Sequence, residues 1–194
     1  LNQNALNAIN KGQNIEDIRK AAAACRKHGI RLIASIVLGL DEDGREDMDR
    51  AVQFAIDIDA YQLQPAVLTP LPGTPVFEKL DREGRMITKD WALYDFMNVT
   101  YKPVHMTPWE LQEEFFRAST TFYTYRSAFR IGQLFGLEYG LRRFAFAFFA
   151  KTGPMAARFC SDFVPSSSYY RLKHGRYSSV VIENPQQELC HQTA

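Results

Sequence analysis

Apolar residues recur at Ile15, Ile18, Ala22 and Cys25, three to four positions apart, which predicts a helix over 15–27. Asn14 is placed to cap its start, and Gly29 ends it after the basic Arg26, Lys27 and His28. The pattern then changes. Residues 31–38 are almost continuously apolar, as expected of a strand covered on both faces. A loop over 39–44 leads back to helical spacing over 46–58, with Met48, Ala51, Val52 and Ala55 inward, and a second strand follows over 61–67. Strand, helix, strand with short loops is a βαβ unit, so the strands should be parallel and the crossover right-handed. Two or three strands do not make a stable parallel sheet with both faces covered. Further strands are therefore expected upstream of residue 1, and the chain reads as a piece of something longer.

Residues 68–75 form a rigid loop, because Pro70, Pro72 and Pro75 fix φ and remove donors. Thr74 as N-cap and Pro75 at the first helical position start a helix that Gly84 stops. Residues 86–103 are aromatic-rich, with one short strand expected near 98–101. Thr107, Pro108 and Glu110 make a capping box that opens a long helix with Leu111, Phe115, Ala118 and Phe122 on its buried face. From about Ser127 to Lys151 phenylalanines are interleaved with Arg126, Arg130, Arg142, Arg143 and Lys151. Such a stripe is either a helix pair packed on protein, the reading preferred by about two to one, or a basic surface for anionic membrane. After Pro165 the chain turns Ser- and Gln-rich and should be loosely ordered. Four segments follow: 1–84, 85–127, 128–165 and 166–194.

Composition narrows the picture modestly. Hydrophobic residues make up 46% and charged residues 23% of the 194, and the net charge is +1, so no overall field recruits nucleic acid. No apolar run is long enough to span a bilayer, and the opening Leu1-Asn2-Gln3-Asn4 is no signal peptide. Cys25, Cys160 and Cys190 lack the close spacing of a metal site; Cys25 reads as a small buried apolar side chain. Few cysteines suit a reducing cytoplasm, with membrane association as the variant that the aromatic stripe would add. His28, His105, His174 and His191 are scattered, and no nucleophile–histidine–acid set stands out.

Alternation identifies the candidate site. Ser35, Val37 and Gly39 share the smaller face of the first strand, near the end where a parallel barrel builds its active site, and Gly39 would leave room for a ligand. Simple core packing is an equal reading for Ser35. Gln62 and Gln64 share one face of the second strand; they either meet a substrate, Gln64 being nearer the mouth, or face solvent at an edge. The carboxylates Asp41, Glu42 and Asp43 lack phosphate-loop and EF-hand spacing, and are expected as a solvated loop that caps the next helix.

The stretches 6–12, 29–31, 35–40, 68–75, 90–95 and 106–111 together resemble the C-terminal half of a radical SAM barrel, closest to the cobalamin-binding-domain-linked class with methyltransferases and cyclases. The resemblance covers about residues 1–127. It implies an α/β fold: the last two strands of a partial TIM-type (β/α)6 barrel with their helices, followed by a helical C-terminal extension. The family's fifth-strand pattern falls on Ser35, Val37, Gly39 and Glu42, with Ser and Val departing from Gly and Ile. Val37 would then pack on the adenine of S-adenosylmethionine, and backbone at Leu68 and Thr69 would complete the cofactor site. The full-length protein would carry a 4Fe-4S cluster whose CxxxCxxC ligands are not in this sequence; whether cobalamin serves it stays open. These 194 residues alone should not cleave S-adenosylmethionine. The implied partners are the N-terminal barrel half, an electron donor and a small-molecule or lipid-like substrate for methyl transfer or cyclisation. The alternative is a cluster-free binding or scaffold protein, or a peripheral membrane module, on the same fold.

Overall fold

The computed structural model describes residues 14–164 and 167–176. Helix α1 (Ile15–Lys27) starts at Asn14, whose side chain accepts the Glu16 N–H at 2.9 Å. Strand β1 (Ile33–Leu38), helix α2 (Arg45–Asp57) and strand β2 (Gln62–Val67) are the βαβ unit, paired in parallel with Ile33 opposite Gln62 and Leu38 opposite Val67. Helix α3 (Pro75–Arg82) is capped by Thr74, and α4 (Pro108–Phe122) by the reciprocal bonds of Thr107 and Glu110. Helices α5 (Tyr125–Phe135) and α6 (Leu137–Phe163) form a hairpin, and α7 (Ser168–Lys173) packs back on α6.

The sheet is buried on one side. Leu38, Leu63 and Val67 pack against Met48, Val52 and Ala55 of α2 and Leu111, Phe115, Ala118 and Phe122 of α4. Ile33, Ser35, Val37 and Gln64, on the opposite side, are exposed. The apolar run of β1 had suggested cover on both faces; among the described residues it has one. The reason is that α2 and α4 both pack on the same side.

The two edges of this sheet differ. Gln62 N–H donates to Leu32 O and Leu68 N–H to Leu38 O, so the even-numbered amides of β2 point at β1 and the odd ones point away. Every outward N–H position is accounted for. Leu63 donates its N–H to the Tyr123 hydroxyl (3.1 Å), which donates back to Leu63 O (2.9 Å). Pro65 has no N–H to satisfy. Val67 donates to Phe96 O at 2.7 Å. Phe96 holds this position at φ +64, fixed by Asp95, which accepts the N–H groups of Met97 and Asn98. Along β1, by contrast, no strand among the described residues pairs with the edge opposite β2.

Buried polar groups tie the hairpin to this closed edge. Arg143, 3% exposed, donates to Tyr61 O and Phe122 O and lies over the rings of Phe122 and Tyr123. Burial lowers its pKa to about 10, still protonated at neutral pH. Asp59, buried at φ +55, pairs with Arg26 of α1 and Arg130 of α5. The basic positions of 127–151 are therefore not one surface: Arg143 is a structural staple.

Other expectations need correcting. The strand near 98–101 is a single antiparallel bridge, Met86 with Tyr101, held by Ile87 N–H to Thr100 O and Lys102 N–H to Arg85 O; Pro103 offers no further donor. Cys25 is half-buried, because of the α1 residues only Ala22 is fully covered. Stretch 1–13, the tail beyond residue 176, Cys190 and His191 lie outside the described residues.

Candidate functional site

The register brings Ser35 opposite Gln64 and Val37 opposite Ala66, with Gln62 one step further back on the same face. Ser35 Oγ donates to Gln64 Oε1 at 3.5 Å, so serine and amide form a weak polar pair on an exposed surface. This face opens onto a cleft of about 720 Å³. Its far walls are Phe116 and Ser119 of α4, Phe96 and Met97 of the loop that closes the β2 edge, and Phe149, Ala150, Gly153 and Pro154 of α6. Pro154 lies inside the helix and removes the N–H that would donate to Ala150 O. Volume and lining suit a bulky apolar ligand with a few polar groups on the strand side.

The sequence-derived positions divide in two. Ser35, Val37 and Gln64 line the cleft. Gly39, Leu68 and Thr69 lie at the strand ends and are occupied within the fold. Gly39 has φ +87, and a Cβ there would stand 2.5 Å from the Tyr101 hydroxyl and 2.6 Å from Leu111 Cδ2. The room that glycine makes is thus filled by Tyr101, which donates to Gly39 O, and by Leu111, rather than left for a ligand. Burial raises the Tyr101 pKa far above its usual range, so this donor stays protonated. Leu68 N–H is used by Leu38 O, and the buried Thr69 hydroxyl donates to Val67 O at 3.1 Å.

The acidic loop is also built in. Asp41 binds Arg85 and Lys79, both at 2.6 Å, and the hydrogen bond from Arg85 is the main cause that holds its carboxyl at about 2. Asp43 is buried, which pushes its pKa up, and accepts the Leu40 N–H at 3.0 Å. Helix α2 starts at Gly44, whose N–H donates to Asp47, so these carboxylates do not cap it; of the three only Glu42 is exposed. Their expected role as a solvated cap fails because two of them are bound to the fold itself.

Sequence reasoning missed Phe96, Phe116, Ser119, Phe149, Gly153 and Pro154. Only Gly153-Pro154 carried a signal, as a break in a helical pattern. The cluster ligands that the resemblance implies are not among the described residues: no three His, Cys, Asp or Glu side chains gather, and Cys25 and Cys160 sit on α1 and α6.

No family model matches the chain. It is similar to bacteriochlorophyllide d C-8(2)-methyltransferase of Chlorobaculum tepidum, 26% identical over 128 residues, 65% of this chain and 28% of that protein. It is 33% identical over 87 residues to hopanoid C-2 methylase of Rhodopseudomonas palustris, covering 44% of this chain and 16% of the methylase. It is 25% identical over 124 residues to the anaerobic magnesium-protoporphyrin IX monomethyl ester cyclase of Cereibacter sphaeroides, covering 64% and 20%. The relatives are enzymes: two methylate and one cyclises. The chain spans under a third of the length of each.

Proposed function

We propose that this chain is the closing part of a radical SAM enzyme that methylates or cyclises a bulky hydrophobic substrate. The observation that carries the reading is the asymmetric sheet. Its β2 edge is closed by Tyr123, Pro65 and Phe96, its β1 edge carries no further strand among the described residues, and its polar face opens on an apolar cleft. That is what the last two strands of an open (β/α)6 barrel require: growth in one direction only. Low-identity similarity to methylating and cyclising enzymes supports the same reading.

In this proposal the exposed Val37 offers apolar contact to the adenine of S-adenosylmethionine, and backbone around Leu68 and Thr69 borders it. Gln64, oriented by Ser35, meets polar atoms of the substrate, while Phe96, Phe116 and Phe149 hold its hydrocarbon part. The electron for cleaving S-adenosylmethionine would come from a 4Fe-4S cluster, for which the described residues of this chain offer no ligand set. The test is anaerobic: the intact polypeptide, with a chemical reductant and S-adenosylmethionine, should yield 5′-deoxyadenosine. Val37→Arg should abolish that yield while leaving the cluster's absorbance unchanged. An intact protein with no cluster and no cofactor cleavage would sink the proposal in favour of a binding or scaffold role.

A further inference from the structure

Helix α6 has 27 residues, about 40 Å of length. Its inward side is Gly140, Arg143, Ala147, Ala157 and Ser161. Against α5 it packs closely at two glycines: a Cβ on Gly140 would come within 2.8 Å of Gly132 Cα. Another side is apolar and, among the described residues, uncovered. Leu137, Leu141, Phe144, Phe148, Met155 and Phe159 follow one another in steps of 4, 3, 4, 7 and 4, which places them in one row. Every one of them is more than half exposed, and Phe129 of α5, 70% exposed, widens the patch beside Leu141 and Phe144. A patch of this extent marks a contact surface.

Charge identifies what covers it. Residues 125–163 hold six Lys or Arg (126, 130, 142, 143, 151, 158) against Glu138 and Asp162, a surplus of four. The remaining seventeen cations and twenty acids leave the rest of the chain at −3. Arg143 is buried; of the five exposed cations, Arg130, Arg142 and Arg158 pair with Asp59, Glu138 and Glu113, which leaves Arg126 and Lys151 for an outside anion. Two copies of this face would set like charges together, and Lys151 falls where a helix–helix seam needs an apolar residue. At a lipid surface the same lysine extends its charge to the headgroups. No described helix is long and apolar enough to cross a membrane.

We infer that the α5–α6 hairpin docks on an anionic lipid surface, with the row from Leu137 to Phe159 in the acyl boundary and Arg126 and Lys151 among the headgroups. The helix lies in the interface plane rather than spanning it. Phe149 and Gly153, on the neighbouring side of α6, line the cleft, so the docked face adjoins the candidate site.

The experiment is co-sedimentation of the intact protein with vesicles of phosphatidylcholine alone and with phosphatidylglycerol added. Binding should be strong only to the anionic vesicles and should fall in high salt. Leu141→Ser/Phe144→Ser/Phe148→Ser should weaken binding at least about tenfold, since the buried apolar area carries the partition. Arg126→Glu/Lys151→Glu leaves the apolar row intact and should cost about fivefold per cation removed. This second variant keeps the test open should the serine variant fail to fold, as circular dichroism would reveal. Val76→Ser, exposed on α3, should bind like the wild type. The inference is overturned if neither vesicle binds the protein, or if light scattering shows a dimer that the serine variant converts to monomer.

Discussion

The two edges of the sheet were made by different kinds of residue, and they behave differently. The β2 edge is finished by two groups from elsewhere in the chain, a tyrosine hydroxyl from the end of α4 and the carbonyl of a strained phenylalanine, and by a proline of the strand itself that has no N–H to pair. The β1 edge has no such device among the described residues. A sheet that is to stop must be stopped explicitly, because unpaired strand groups recruit another strand. A sheet that is to continue needs only to be left alone.

The largest expected effect comes from the staple behind the closed edge. Arg143→Met should cost about 3 kcal/mol in urea unfolding, since it strands the carbonyls of Tyr61 and Phe122 in the interior. An unchanged midpoint would mean that the edge is held by packing alone. Next is the hydroxyl itself. Tyr123→Phe keeps the ring but leaves Leu63 N–H and C=O unpaired, for about 2 kcal/mol and faster hydrogen exchange at the Leu63 amide. If exchange stays slow, another group closes that edge.

Asp41→Asn probes the loop that leaves β1 and should cost under about 1 kcal/mol, as the ion pairs reach the surface. Its pH dependence has a definite sign. The folded carboxyl titrates at about 2, below its ordinary 3.8, so the contribution is complete above 3.8 and is lost as pH falls toward 2. Wild type and variant should therefore converge in acid; a constant gap would assign the loss to packing. The smallest effect is expected on the open side. Val37→Lys should move stability by no more than about 0.5 kcal/mol, because the side chain is 49% exposed on an uncovered face. A large loss would show that this face is covered within the chain after all.

Local features were legible because their causes are local. The caps at Asn14, Thr74 and Thr107, the helix stop at Gly29 and the parallel pairing all follow from neighbouring residues or from short connections. The shared face of Gln62 and Gln64 follows from the strand period. Arg143 was read as one more cation of a basic stripe, because nothing within a few residues of it announces a buried partner. Gly39 was read as space for a ligand; the tenants of that space, Tyr101 and Leu111, lie more than sixty residues away. Phe149 and Pro154 gave no sign of sharing a cleft with Ser35 and Gln64.

The sequence by itself determined the α/β order, which residues share a strand face and where the capped helices at Asn14, Thr74 and Thr107 start, since these depend on period, capping and backbone freedom over a few residues; the helix α7, in a stretch expected to be loosely ordered, was not read from it. Tertiary structure alone decided which sheet edge is closed, which arginine is buried, and that α6 supplies a wall of the cleft. Those outcomes depend on partners far apart in sequence, 60 residues for Tyr123 and Leu63 and 82 for Arg143 and Tyr61, and no local pattern encodes which distant group will arrive.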